Sequence, residues 1–247
     1  MSFVPTAEKL LPDLTPREEL VLLARTLWRE GYNDHLAGHI TINLGDGTLW
    51  CNPWLMTWDE IRPRDVIRID LDGNVVEGDW PVPLGIPLHL ELHKLRPDVQ
   101  VAMHSHPLYG TVWSDMREIP PIYDQSSSLG GGELVLVDEY GGGVSDANAA
   151  RDAVTAMGDA DLALLAGHGV FVLGASVRAV HQRAVALEQR CKHAWHVRAA
   201  GGASDTALPA WYLERSRQSD GTRFLGFWEA MARAELRADP TLLDDRR

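Results

Sequence analysis

His104 and His106 stand one residue apart, directly after the mostly apolar run Val99-Gln100-Val101-Ala102-Met103. Alternate residues of an extended chain point the same way, so both imidazoles can enter one pocket. A third histidine, His168, lies between Gly167 and Gly169 after the apolar run Leu162 to Ala166. Neutral imidazole is the commonest metal ligand, and three protein ligands with one open position characterise catalytic rather than structural sites. His104, His106 and His168 therefore read as candidate ligands for a divalent ion. Zinc is the first expectation, with manganese and iron as alternatives for a nitrogen-rich site.

A scaffold must hold these side chains. Thr15-Pro16-Arg17-Glu18-Glu19 signals a helix start, with a capping threonine, proline at the first helical position and acidic residues in the first turn. Strands are expected over 37–44 and 48–52, joined at Gly45-Asp46-Gly47, and over 66–71, where Ile67, Ile69 and Leu71 share one face. Pro87 to Leu95 reads as a helix ended by Pro97. Short apolar strands follow at 99–103, 133–137, 162–165 and 170–173, with helices at 146–157, 177–199 and around 224–236. Residues 1–200 are expected to form the main domain, and 201–247 a helical extension of it, with a small-residue linker at 199–204. The glycine clusters at 130–132 and 141–143 lack the strand–turn–helix setting of a nucleotide-binding loop.

With 247 residues, 45% hydrophobic and 23% charged, the chain has the composition of a globular protein. A net charge of −12 argues against non-specific nucleic-acid binding, which needs basic surface. No apolar run is long enough to span a membrane and no secretory signal is visible, so a cytoplasmic location is expected. Two cysteines, Cys51 and Cys191, fit a reducing compartment and cannot build an all-thiolate metal site.

The motifs also come in a telling order: Gly38-His39-Ile40-Thr41, then Pro87-Leu88-His89 with His93 and Arg96-Pro97-Asp98-Val99, then Met103-His104-Ser105-His106-Pro107, then Gly167-His168-Gly169-Val170, then a long helix through Leu187-Glu188. This series resembles the class II aldolase/adducin superfamily from about residue 15 to residue 200. The resemblance implies an α/β fold, a three-layer α/β/α sandwich with a mainly antiparallel central sheet. It also implies that His104, His106 and His168 are the metal ligands, and that the chain is a homotetramer acting on a small molecule.

Departures from the family pattern are as informative. Sugar-phosphate aldolases of this family carry an acid/base carboxylate where this chain has Gly85, and hydroxyls where it has Pro83 and Leu84. Their phosphate loop corresponds to Trp54-Leu55, and an asparagine corresponds to His39. Glu91, on the same helix as His89, faces another direction. A phosphorylated substrate is thus not expected. Retro-aldol cleavage needs a base for the hydroxyl proton, whereas decarboxylation needs an electron sink and a later proton donor. The expected function is a metal-dependent carbon–carbon lyase, foremost a decarboxylase of a hydroxy- or keto-acid, aromatic in kind. Alternatives are an aldolase on a non-phosphorylated substrate, a non-haem iron oxygenase, and a non-enzymatic adducin-like module. His39, His89 and His93 are the candidate catalytic residues. Trp54, Trp58 and Trp113 are expected at the pocket. Asp124 and Gln125 sit in a loop, and His193 and His196 mark an exposed face of the long helix.

Overall fold

The computed structural model describes residues 11–138, 146–202, 208–218 and 226–244. The glycine cluster at 141–143, residues 203 and 204 of the expected linker and residues 224 and 225 of the expected last helix lie outside these. Helix α1 (Pro16–Arg29) starts as its sequence requires: the Thr15 hydroxyl accepts from the Glu18 amide, and the Glu18 carboxylate accepts from the Thr15 amide. Strands β1 (His39–Asn43), β2 (Thr48–Cys51), β3 (Ile67–Asp70) and β4 (Val75–Glu77) form an antiparallel meander. Helix α2 (Pro87–Leu95) leads into β5 (Val101–Ser105), which runs antiparallel to β1. After α3 (Leu108–Met116) come β6 (Leu134–Val137), α4 (Ala147–Met157), β7 (Leu162–Leu165), β8 (Gly169–Gly174) and the long α5 (Val177–Ala199). Two shorter helices close the chain, α6 (Ala210–Arg217) and α7 (Phe227–Ala238).

The eight strands form one sheet in the order β4-β3-β2-β1-β5-β8-β7-β6, in which only β6 and β7 pair in parallel. Side-chain alternation then sorts the layers. Ile40, Ile42, Val101, Met103, Val170 and Val172 turn to one face and pack with α1 and α5. Ala102, Ala163, Leu165, Phe171 and Leu173 turn to the other and pack with α2 and α4. The result is a three-layer α/β/α sandwich with a mainly antiparallel sheet, as expected. Helix α7 lies against α1 and α5 through Arg29–Glu235 and Arg178–Glu229 ion pairs.

Two expectations need correction. The strand expected at 99–103 runs from 101 to 105, so His104 is inside β5 and His106 follows its end. Trp58 and Trp113 do not line a pocket; they are 2% and 0% exposed and belong to the core on the α1–α5 face, Trp113 donating its indole N–H to the Cys191 carbonyl. Trp54 is half-buried.

Candidate metal centre

His104 is buried on the α2 face of β5, opposite His39 of β1 and Phe171 of β8. His168 is in the turn between β7 and β8, where its flanking glycines have separate reasons. Gly167 adopts φ +67°, a left-handed conformation that glycine takes without a Cβ clash. A Cβ at Gly169 would stand 2.6 Å from the His106 ring and 2.6 Å from the Ser105 carbonyl, so glycine lets β8 approach the end of β5. Centroids of the three rings are 4.9 Å (104–106), 4.6 Å (104–168) and 4.6 Å (106–168) apart. One ring nitrogen of each lies within 4.8 Å of the other two.

Hydrogen bonds on the outer side of the cluster set two tautomers. The His104 Nδ1–H donates to the Val170 carbonyl at 2.9 Å, and the His106 Nδ1–H donates to Asp34 Oδ2 at 2.8 Å. Each ring thereby turns an unprotonated Nε2 to the interior, the form a metal requires. The buried His106 Nε2 has no hydrogen-bond partner. An orphaned imidazole lone pair facing two further imidazoles fits a divalent cation. His104 is pushed well below the usual histidine range by burial and then by the neighbouring imidazoles, and His168 falls to about 4 by burial and His106. His104 and His168 are therefore neutral, ligand-ready imidazoles at neutral pH. Burial pushes the Asp34 carboxyl up, but the hydrogen bonds from His106 and His35 outweigh it and hold it below its ordinary value.

Asp34 was not among the sequence candidates. It lies in the loop between α1 and β1, 72 residues before His106, and a lone loop aspartate carries no local signal.

The three candidate catalytic histidines occupy graded positions. The His39 ring is 5.2 Å from that of His104 and 5.6 Å from that of His89. His39 is 6% exposed, its Nδ1 lacks a partner, and burial, followed by His106 and His168, lowers it to about 3. His89 and His93 share one face of α2 at i, i+4 spacing. Both meet the Thr41 hydroxyl, which lies 2.8 Å from His89 Nδ1 and 2.8 Å from His93 Nε2. A hydroxyl has one proton, so it donates to one ring and accepts from the other. His39 is thus at the cluster, His89 behind it, and His93 behind Thr41.

The remaining candidates take other places. Glu91 is buried against Lys94 and Arg151, away from the cluster. Asp124 bonds His193 Nδ1 at 2.7 Å and the Ser127 hydroxyl at 2.6 Å. Cavities of about 270 and 370 Å³ lie along α5, beside Arg190 and Gln189 respectively, and neither includes the three clustered histidines.

Comparison with known proteins places the chain in a family. The family model of the class II aldolase and adducin N-terminal domain matches residues 18–195. Over 200 residues the chain is 30% identical to 3,4-dihydroxyphthalate decarboxylase of Arthrobacter keyseri, covering 76% of this chain and 80% of that one. It is also 30% identical over 216 residues to 4-hydroxy-3-prenylphenylpyruvate oxygenase/4-hydroxy-3-prenylbenzoate synthase of Streptomyces roseochromogenus subsp. oscitans, covering 85% and 77%. Among solved structures, L-fuculose 1-phosphate aldolase from Glaciozyma antarctica superposes with a TM-score of 0.79 at 20% identity, covering 97% of this chain and 99% of that one.

Proposed function

The chain belongs to the class II aldolase and adducin family, and on that premise we propose that it is a divalent-metal-dependent decarboxylase of a non-phosphorylated hydroxy- or keto-acid, aromatic in kind. One observation carries the reading. The three clustered histidines have Asp34 as their hydrogen-bonded carboxylate, and Asp34 is engaged on the outer nitrogen of His106 rather than turned inward. Gly85 offers no acid of its own. Among the described residues no carboxylate joins the three histidines as an inward base, which cleavage of a carbon–carbon bond beside a hydroxyl would call on.

A divalent ion held by His104, His106 and His168 would supply Lewis acidity for the electron pair left when the carbon–carboxylate bond breaks. The chain's own groups then have defined tasks. His39 hydrogen-bonds the bound acid, His89 backs His39, and His93 with Thr41 orients His89. Carbon dioxide leaves, and a proton returns to the carbon that carried it. Support for an uncharged, apolar remainder comes from the neighbouring loops, since residues 52–58 and 80–86 contain no lysine or arginine. Leu36, Leu84 and Leu108 are exposed, and each lies within two residues of Asp34, Gly85 or His106.

Zinc is the proposed ion, from its affinity for imidazole. The proposed assembly is a homotetramer, with light scattering as its check, and the proposed location is the cytoplasm, consistent with two buried free cysteines. No helix among the described residues is long and apolar enough to cross a membrane.

Metal analysis of purified protein, repeated on His104→Ala and His106→Ala, tests the first half of the reading. Stoichiometric metal that disappears with either ligand is expected; wild-type protein that binds no divalent ion sinks it. A screen of hydroxybenzoate-type acids then separates the chemistries, with carbon dioxide release expected. Aldehyde release would make the protein an aldolase. Oxygen consumption by the iron-loaded protein would favour the oxygenase reading, to which the Streptomyces relative gives weight.

A further inference from the structure

Gly85 does not owe its glycine to the backbone. Its φ is not positive, unlike those of Gly31, Gly38, Gly45 and Gly73, so a side chain would meet no conformational penalty there. Space is the constraint. A Cβ at residue 85 would stand 2.1 Å from His39 Cε1, 2.9 Å from Nε2 and 3.1 Å from Nδ1. The imidazole edge of His39 therefore fills the volume that any side chain at 85 would need.

The ring cannot simply swing aside. His104 lies 5.2 Å from it on one side and His89 5.6 Å on another, both buried. His89 is itself tied through Thr41 to His93. Behind the backbone, a Cβ on the neighbouring Gly38 would meet Trp58 at 2.7 Å, so the start of β1 has no room to retreat.

We propose that Gly85 is a positioning residue whose missing side chain seats the His39 imidazole beside the metal-binding histidines, so that residues 39 and 85 act as one specificity-determining unit. The inference rests on the reading of His39 as the group that meets the bound acid, and it adds the residue that lets it do so. A side chain at 85 and a histidine at 39 exclude each other. The ligand that fits the seated form is an anion able to accept a hydrogen bond from a ring nitrogen of His39 while bound at the open metal position.

Two measurements test the pair. In ¹³C-labelled metal-free protein, the Cε1–H signal of His39, assigned by its loss in His39→Asn, should move in Gly85→Ala while the signal of His181, buried on α5, stays in place. An unmoved His39 signal overturns the proposal. In zinc-loaded protein, oxalate binding measured by calorimetry should weaken about tenfold in Gly85→Ala and equally in His39→Ala, which has no donor, the scale of one charge-assisted hydrogen bond. The double variant should bind no worse than either single one. Wild-type affinity in Gly85→Ala, or losses that add in the double variant, overturns it. If wild type takes up no zinc, the lyase reading fails, and the His39 signal alone decides whether the two residues interlock.

Discussion

Asp34 shows how much a single outer partner can govern. Its carboxylate orients the His106 ring and selects the tautomer. Asp34→Asn should keep the fold and lower zinc affinity by about 10- to 100-fold, the usual cost of losing such a partner. Competition with a chelating dye would measure it, and unchanged affinity would remove Asp34 from the site. The three clustered histidines were legible in the sequence because His-x-His at a strand end and Gly-His-Gly at a turn are local patterns. Asp34 and Thr41 were not, because their partners lie 72, 48 and 52 residues away and only the sheet brings them together.

At the scale of elements, α3 is the piece that follows directly from His106 and holds it. Its first turn is capped by Glu188 of α5, which accepts from the Tyr109 amide at 2.9 Å and the Gly110 amide at 2.8 Å. Burial pushes the Glu188 carboxyl up to about 7, against those two amides and Lys192, which pull it down. Glu188→Ala would strand two amides at a helix start and should cost about 2 kcal/mol of stability, read by urea unfolding. Glu188→Gln keeps an acceptor and should lose less; equal losses would refute the capping role. Helices α1 and α2 were readable from a cap and prolines, and α5 from its apolar periodicity. Helix α3 was not, because Leu108–Met116 carries Gly110, Thr111 and Val112 among its nine residues, which have low helix propensity. Tertiary packing of Trp113 against the core, with the Glu188 cap, forms it instead.

Across the whole molecule, several histidines are buried where only the neutral form is comfortable. Two stand apart from the metal cluster: His181, lowered by burial to about 3, and His93, lowered to about 4 by burial despite an opposing backbone hydrogen bond. In the unfolded chain such groups bind a proton near pH 6.5, whereas the native state resists it. Stability is therefore fullest above pH 6.5 and declines as pH falls through 6.5 toward 3, each such histidine contributing a slope of about 1.4 kcal/mol per pH unit. Urea unfolding of metal-free protein between pH 4 and 7 should show this decline. His181→Leu should flatten it by one proton, and an unchanged slope would mean that His181 is protonated in the native state.

The parts of the proposed metal centre are far apart along the chain. His106 waits on Asp34 from 72 residues earlier, and His104 waits on the Val170 carbonyl from 66 residues later. The central pairing β1-β5-β8-β7 must be complete before these contacts can exist together. In kinetic language, the site is a late product of folding, assembled through high contact order and not through any local nucleus. A divalent ion bound there would act as a latch on the finished sheet. It would retard unfolding more than it hastens folding, because it would stabilise contacts that close last.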